Sequence, residues 1–209
     1  MEEIVLVGYG GHAESVADCI ERSRKFHIAG YTDLSAHNTR YEYLGTDHIL
    51  ERIYQEGICN AALCIGYLGR GDIRERLFHR LKTIGFKLPV ISDPSSVISD
   101  KAILGEGTFV GKGAVVNSGA RVGDMCILNT MSLVEHGCRI DNFTHVAVGG
   151  ILCGEVSVGE RVLIGAGAVV LQGLTIPDGA IIPAGMTVRK GDLGKFTVNK
   201  RDTGSTVGQ

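Results

Sequence analysis

The sequence predicts a small α/β sheet of Rossmann-like type followed by an all-β parallel β-helix. Three observations carry this. Sixteen hexapeptides run without a gap from Val97 to Asp192. Before them, strand-like and helix-like segments alternate. A glycine-rich turn, Gly8-Tyr9-Gly10-Gly11-His12, joins the first strand to the first helix.

Ile4 to Val7 is a continuous apolar run, the mark of a strand buried on both faces. A helical stretch from Ala13 to Ser23 follows the turn, then a strand from His27 to Thr32 that ends at Asp33. Leu44-Gly45 opens a segment with a helix near Asp47–Glu56. Ala61 to Ile65 reads as a third strand, ending at Gly66. Asp72 to Ile84 is amphipathic, with Ile73, Leu77, Leu81 and Ile84 on one face. Lys87 to Ile91 reads as a fourth strand, and Asp93-Pro94 marks the switch to hexads. The expected divisions are 1–92, 93–192 and a polar C-terminal tail over 193–209.

The second place of every hexad is aliphatic, from Ile98 to Val188. The sixth is mostly small, as at Ala102, Ala114, Ala120, Cys126 and Ala168. The large residue points into the coil, and the small one fits where the backbone turns. Glycine at the third or fifth place serves corners that need φ > 0 or lack room for Cβ. With three hexads per coil, residues eighteen apart stack vertically.

The chain has 209 residues, 21 basic and 23 acidic, and a net charge of −2. There is no basic block for nucleic acid and no apolar run of membrane-spanning length. The start, MEEIVLVGYGG, does not read as a secretory signal. The six cysteines show no CxxC pair and no zinc-type spacing, so they read as small hydrophobes in a cytoplasmic protein. No metal site is expected.

A glycine turn at a helix N-terminus suits a phosphate-bearing ligand. Asp33, at the end of the next strand, can meet a ribose hydroxyl. The alternative is a tight turn with no ligand. The match to the dinucleotide fingerprint is partial: Gly8-x-Gly10-x-x-Ala13, with an acid further on than the usual ~20 residues.

Asn129-Thr130-Met131-Ser132-Leu133-Val134-Glu135-His136 is the polar interruption in the repeat. His136 falls at a fourth, outward place, and its vertical neighbours are Ser118 and Gly154. A histidine with small neighbours has space for a substrate and can take a proton near neutral pH. The alternative is a solvated surface histidine. His145 lies nine residues on, half a coil away, so the two face opposite sides of one prism. They share a site only if a second subunit brings its own His145. His27, His37, His48 and His79 have no such context.

The glycine turn, the hexads and the NTxSxVEH segment together resemble the bacterial sugar O-acyltransferase family, within the hexapeptide-repeat acyltransferases. The resemblance covers about residues 3–190. It implies a left-handed coil, a homotrimer, and acetyl transfer from acetyl-CoA to a sugar amine or hydroxyl. It also implies that the N-terminal domain binds a nucleotide-sugar. Carried over, the general base falls on His136. Sugar-nucleotide contacts fall on Gly10, Gly11, His12, Asp33 and Gly66, and acceptor contacts on Asn129 and Gly154. Acetyl-CoA contacts fall on His145, Ala166 and Ala184. Two departures stand out. The acid that many members carry after the catalytic histidine is here Gly137, and the usual C-terminal GxPAK segment is missing.

The favoured expectation is N-acetylation of a nucleotide-linked 4-amino sugar. O-acetylation of sialic acid or a related sugar is the alternative. A Rossmann oxidoreductase and a non-catalytic β-helix scaffold are the readings from other classes.

Overall fold

The computed structural model describes residues 1–69 and 72–192, together with the backbone of Thr197–Val198. The rest of the tail expected over 193–209 lies outside the described residues.

Four parallel strands form the first sheet, in the order β3-β2-β1-β4. They are β1 (Glu2–Val7), β2 (Phe26–Thr32), β3 (Tyr43–Gly45) and β4 (Asn60–Leu63). The helix α1 (Gly11–Ser23) lies on one face, where Ala13, Val16, Ala17 and Ile20 meet Ile4 and Leu6. The helices α2 (Leu50–Gln55) and α3 (Ile73–Ile84) cover the other, packing Leu50, Ile53, Leu77 and Leu81 on Val5 and Val7. Alternate residues of β1 therefore feed two different cores, which is why the run Ile4–Val7 is apolar throughout.

Two elements depart from expectation. Tyr43–Gly45 is a strand, too short to announce itself in a segment read as the approach to a helix. Lys87 to Ile91 is not a fourth strand: Lys87 makes one isolated bridge to Asn60. Ile91–Ser92 instead pairs with Phe109–Val110 as the first rung of the coil. Leu88 and Ile91 point into the two cores, which pulls this stretch away from the sheet edge.

Each of the sixteen hexads contributes one short strand, and partners stand eighteen residues apart, as in Ile127↔His145 and Leu133↔Ile151. Three parallel sheets result. The second-place aliphatics fill one continuous core. Only Ile98 and Leu104, in the first coil, are partly exposed among them.

The three outer faces differ in their first-place residues. One carries Phe109, Ile127, His145, Leu163 and Ile181. Phe109, Ile127 and Leu163 pack into the core beneath α1, so this face docks the N-terminal domain. The second carries Val97, Val115, Leu133, Ile151 and Val169 and is open. The third carries Ile103, Arg121, Arg139, Ser157 and Thr175, a mostly polar set.

Candidate functional site at two corners of the coil

The first cluster lies at the carboxyl ends of β1 and β4. In a 3-2-1-4 sheet this is the switch point, where α/β proteins place ligands. Gly8 has φ 85°, and a Cβ there would sit 2.6 Å from Ile65, so its glycine is a folding requirement. Gly10 and Gly11 differ: a Cβ at either would meet nothing within 4 Å. They leave open space above the first turn of α1, which has no side-chain cap. Gly66 stands beside them, 3.7 Å from the His12 Cβ when its own Cβ is built.

Asp33 is committed to its own loop. One oxygen takes the Tyr9 N–H at 2.7 Å and the His37 ring at 3.0 Å, and the other takes the Leu34 N–H. Partial burial works against its charge, but these donors overcome it and hold the carboxyl below its usual range.

Behind the turn lies a polar junction that sequence reasoning missed. The Arg74 guanidinium, buried to 4% exposure, donates to the Ile65 carbonyl and, at 2.8 Å, to the Met125 carbonyl. Burial pushes Arg74 down to about 10. Tyr67 donates its hydroxyl to the Arg161 carbonyl at 2.7 Å. Its own carbonyl accepts from His145 Nδ1 at 2.6 Å. A carbonyl only accepts, so His145 carries its proton on Nδ1 and offers a lone pair at Nε2. Asn129 Nδ2 donates to that lone pair at 3.3 Å. Asn129 Oδ1 takes the Thr130 N–H at 2.8 Å, which fixes which way the amide faces.

Burial and the Arg74 charge depress His145, with the Tyr67 carbonyl opposing them. Burial, Arg74 and His145 together push His12 down to about 3. Both rings are neutral at working pH. His12 Nε2 is buried and has no partner among the described residues.

Asn129 occupies the corner between the docking face and the open apolar face. Ala166 and Ala184 lie on the same corner, two and three coils further on, and both are exposed. Among the described residues their N–H groups have no partner. Unengaged backbone donors beside small side chains fit the amides of a pantetheine arm.

His136 lies on the next corner, across the open face. Its ring lies on Gly154, where a Cβ would stand 2.7 Å from both Cε1 and Nε2. Glu135 takes the His136 backbone N–H at 3.1 Å rather than the ring. Within one chain, then, His136 and Gly154 form one half of the expected site. Asn129, His145, Ala166 and Ala184 form the other, with the glycine turn behind His145. No cluster of three His, Cys, Asp or Glu residues fit to hold a metal ion occurs among the described residues.

The chain matches two family models. One is the PglD N-terminal domain, over residues 3–81. The other is the hexapeptide repeat of succinyl-transferase, over 101–130 and 155–190. A histidine-to-asparagine variant of perosamine N-acetyltransferase from Caulobacter crescentus was solved with CoA and GDP-perosamine. It superposes with a TM-score of 0.85 at 31% identity, over 90% of each chain. The acetyltransferase domain of PglB from Neisseria gonorrhoeae, in complex with acetyl coenzyme A, gives 0.84 at 29%, over 90% of this chain and 91% of that one. GDP-perosamine N-acetyltransferase of Escherichia coli O157:H7 is 29% identical over 134 residues, 64% of this chain and 58% of that enzyme's length. The coil is therefore the parallel β-helix that the hexads predict, with the left hand that the family resemblance implied. With a 31% identical relative spanned over nine-tenths of its length, the chain belongs to the hexapeptide-repeat sugar acetyltransferases.

Proposed function

We propose that the chain transfers acetyl from acetyl-CoA to the amine of a nucleotide-linked 4-amino sugar, with His136 as general base. The carrying observation is the split site. His136 and Gly154 sit on one corner, and the Asn129, Ala166 and Ala184 corner lies across the open face. That face presents Val115, Leu133, Ile151 and Val169, each partly exposed among the described residues. A homotrimer that turns this face toward its three-fold axis sets one protomer's His136 corner against the next protomer's Asn129 corner. Each site then draws on two subunits.

In this reading the glycine turn of Gly10, Gly11 and His12, with Gly66, receives the diphosphate of the acceptor. Asp33 acts by holding the loop that borders it. Acetyl-CoA supplies the activated acyl group along the Ala166 and Ala184 corner. His136 Nε2 accepts the proton as the amine attacks the thioester carbonyl. The tetrahedral adduct then collapses with cleavage of the C–S bond, and CoA leaves as its thiol with that proton. Asn129 has a second amide hydrogen, left free by His145, to orient the amine or meet developing negative charge. His145 lines the acyl pocket and holds Asn129. Its Nε2, being an acceptor, does not serve as the oxyanion donor.

The relatives' printed names concern an amino-sugar substrate, which favours N- over O-acetylation and over the oxidoreductase and scaffold readings. All six cysteines are free, in keeping with a cytoplasmic setting. The test is a panel of GDP-, UDP-, dTDP- and CMP-linked sugars, amino and hydroxyl, each with acetyl-CoA and read by mass spectrometry. A gain of one acetyl group on an amino sugar is expected. Acetylation of hydroxyl sugars alone, or of none, overturns the proposal.

A further inference from the structure

Among the described residues, six that are not glycine hold a left-handed backbone. Arg24 caps the end of α1. Met125 and Phe143 are buried beneath the N-terminal domain. Arg161 joins that domain through its carbonyl, which takes the Tyr67 hydroxyl, and through Glu75. Met131 and Glu155 have no such anchor. Both stand between glycines of the neighbouring coils, and Glu155 is the more informative because it stands on the corner that carries His136. Gly119, Gly137 and Gly173 occupy the same place in neighbouring coils, with φ of 75, 66 and 67°. Glu155 takes φ 62° in that column, where glycine is the unstrained choice. A strained non-glycine residue beside a reactive group points to a function.

The His136 ring reaches up one coil onto Gly154. The Glu155 side chain reaches down one coil onto Gly137, its Cγ 3.3 Å from where a Cβ would stand. Both reach places that only glycine leaves vacant, so the two side chains pass each other on one corner. The Glu155 N–H also donates to the His136 carbonyl at 2.9 Å. Among the described residues neither the His136 ring nor the Glu155 carboxylate has a hydrogen-bond or ion-pair partner. Glu135, the other acid at hand, is occupied by the His136 N–H.

We infer that Glu155 is the positioning residue for His136, swinging its carboxylate to the ring by side-chain rotation and accepting the Nδ1–H. This inference rests on the base reading above. With Nδ1 so held, the lone pair sits on Nε2, the atom that takes the amine proton. The carboxylate then faces the imidazolium that proton transfer creates. Glu155 thereby fills the role left vacant at Gly137.

The test compares Glu155→Gly and Glu155→Gln with the parent and with His136→Ala, measuring kcat, both KM values and Tm. Glycine relieves the left-handed strain, so Glu155→Gly melts at or above the parent. Its kcat falls about tenfold or more, with both KM values within about twofold. Glu155→Gln, which keeps an accepting oxygen without the charge, falls between. Parent-like kcat in both Glu155 variants, with His136→Ala inactive, overturns this inference and leaves the base in place. A lower Tm in Glu155→Gly also overturns it, since the residue is then structural. An active His136→Ala removes the reading beneath it.

Discussion

Gly154→Ala separates the coil's stability from its chemistry. Gly154 does not hold a left-handed backbone, so alanine fits its conformation. The new methyl would lie 2.7 Å from both Cε1 and Nε2 of His136. Carbon contacts settle at about 3.5–4.0 Å, so the ring must retreat by about 1 Å. A displacement of that size at a reacting group costs around 10²-fold in rate. The fold should not suffer, because the ring is exposed and free to move, while the loss of glycine's freedom in the unfolded chain stabilises by about 0.4–1 kcal/mol. The expected variant holds or raises its Tm and loses about two orders of magnitude in kcat. Calorimetry reads the first quantity, and the release of free CoA thiol reads the second. A kcat within threefold of the parent would show that His136 does not work from its place on Gly154.

Four further outcomes follow from the same geometry. Val134 is fully buried in the coil, so Val134→Asp should bury an unpaired charge and lower Tm steeply in a thermal melt; an unchanged melt contradicts the register. Arg74→Met strips the donors from the Ile65 and Met125 carbonyls and should cost about 2–4 kcal/mol in denaturant unfolding, which an unchanged midpoint would disprove. His12, pushed down to about 3, and His145, also lowered, bind protons more readily once unfolded. Their contribution is complete above about pH 6.5 and drains as pH falls toward 3, His12 alone costing about 2 kcal/mol by pH 5. Flat stability across that window counts against buried neutral rings. Leu133→Arg combined with Ile151→Arg should yield monomers by light scattering and abolish turnover, whereas active trimers would exclude the open face as the interface.

The coil was legible because its signal repeats: sixteen aliphatic second places fix the register, and His136 on Gly154 follows from the eighteen-residue stack. The strand–turn–helix at Gly8–His12 was legible for a similar local reason. What escaped depends on contacts distant in sequence. Tyr67 meets His145 from 78 positions away, and Arg74 meets Met125 from 51. Neither leaves a local pattern, since Arg74 lies on an amphipathic helix whose polar side normally faces water. Tyr43–Gly45 is a strand only because β2 offers an edge. Ile91–Ser92 joins the coil because Phe109–Val110 offers another. Glu155 did leave a trace, as a side chain between Gly137 and Gly173 of the neighbouring coils, but its meaning needed the backbone angles.

The central claim is acetyl transfer to a nucleotide-linked amino sugar with His136 as base. The most direct measurement runs the parent and His136→Ala side by side on the best nucleotide-linked amino sugar, with acetyl-CoA binding followed by calorimetry. The account predicts that the parent acetylates the amine, and that His136→Ala binds acetyl-CoA as tightly while turning over about 10²–10⁴-fold more slowly. A His136→Ala protein with parent-like turnover, or an acetyl group trapped covalently on the chain, would contradict it.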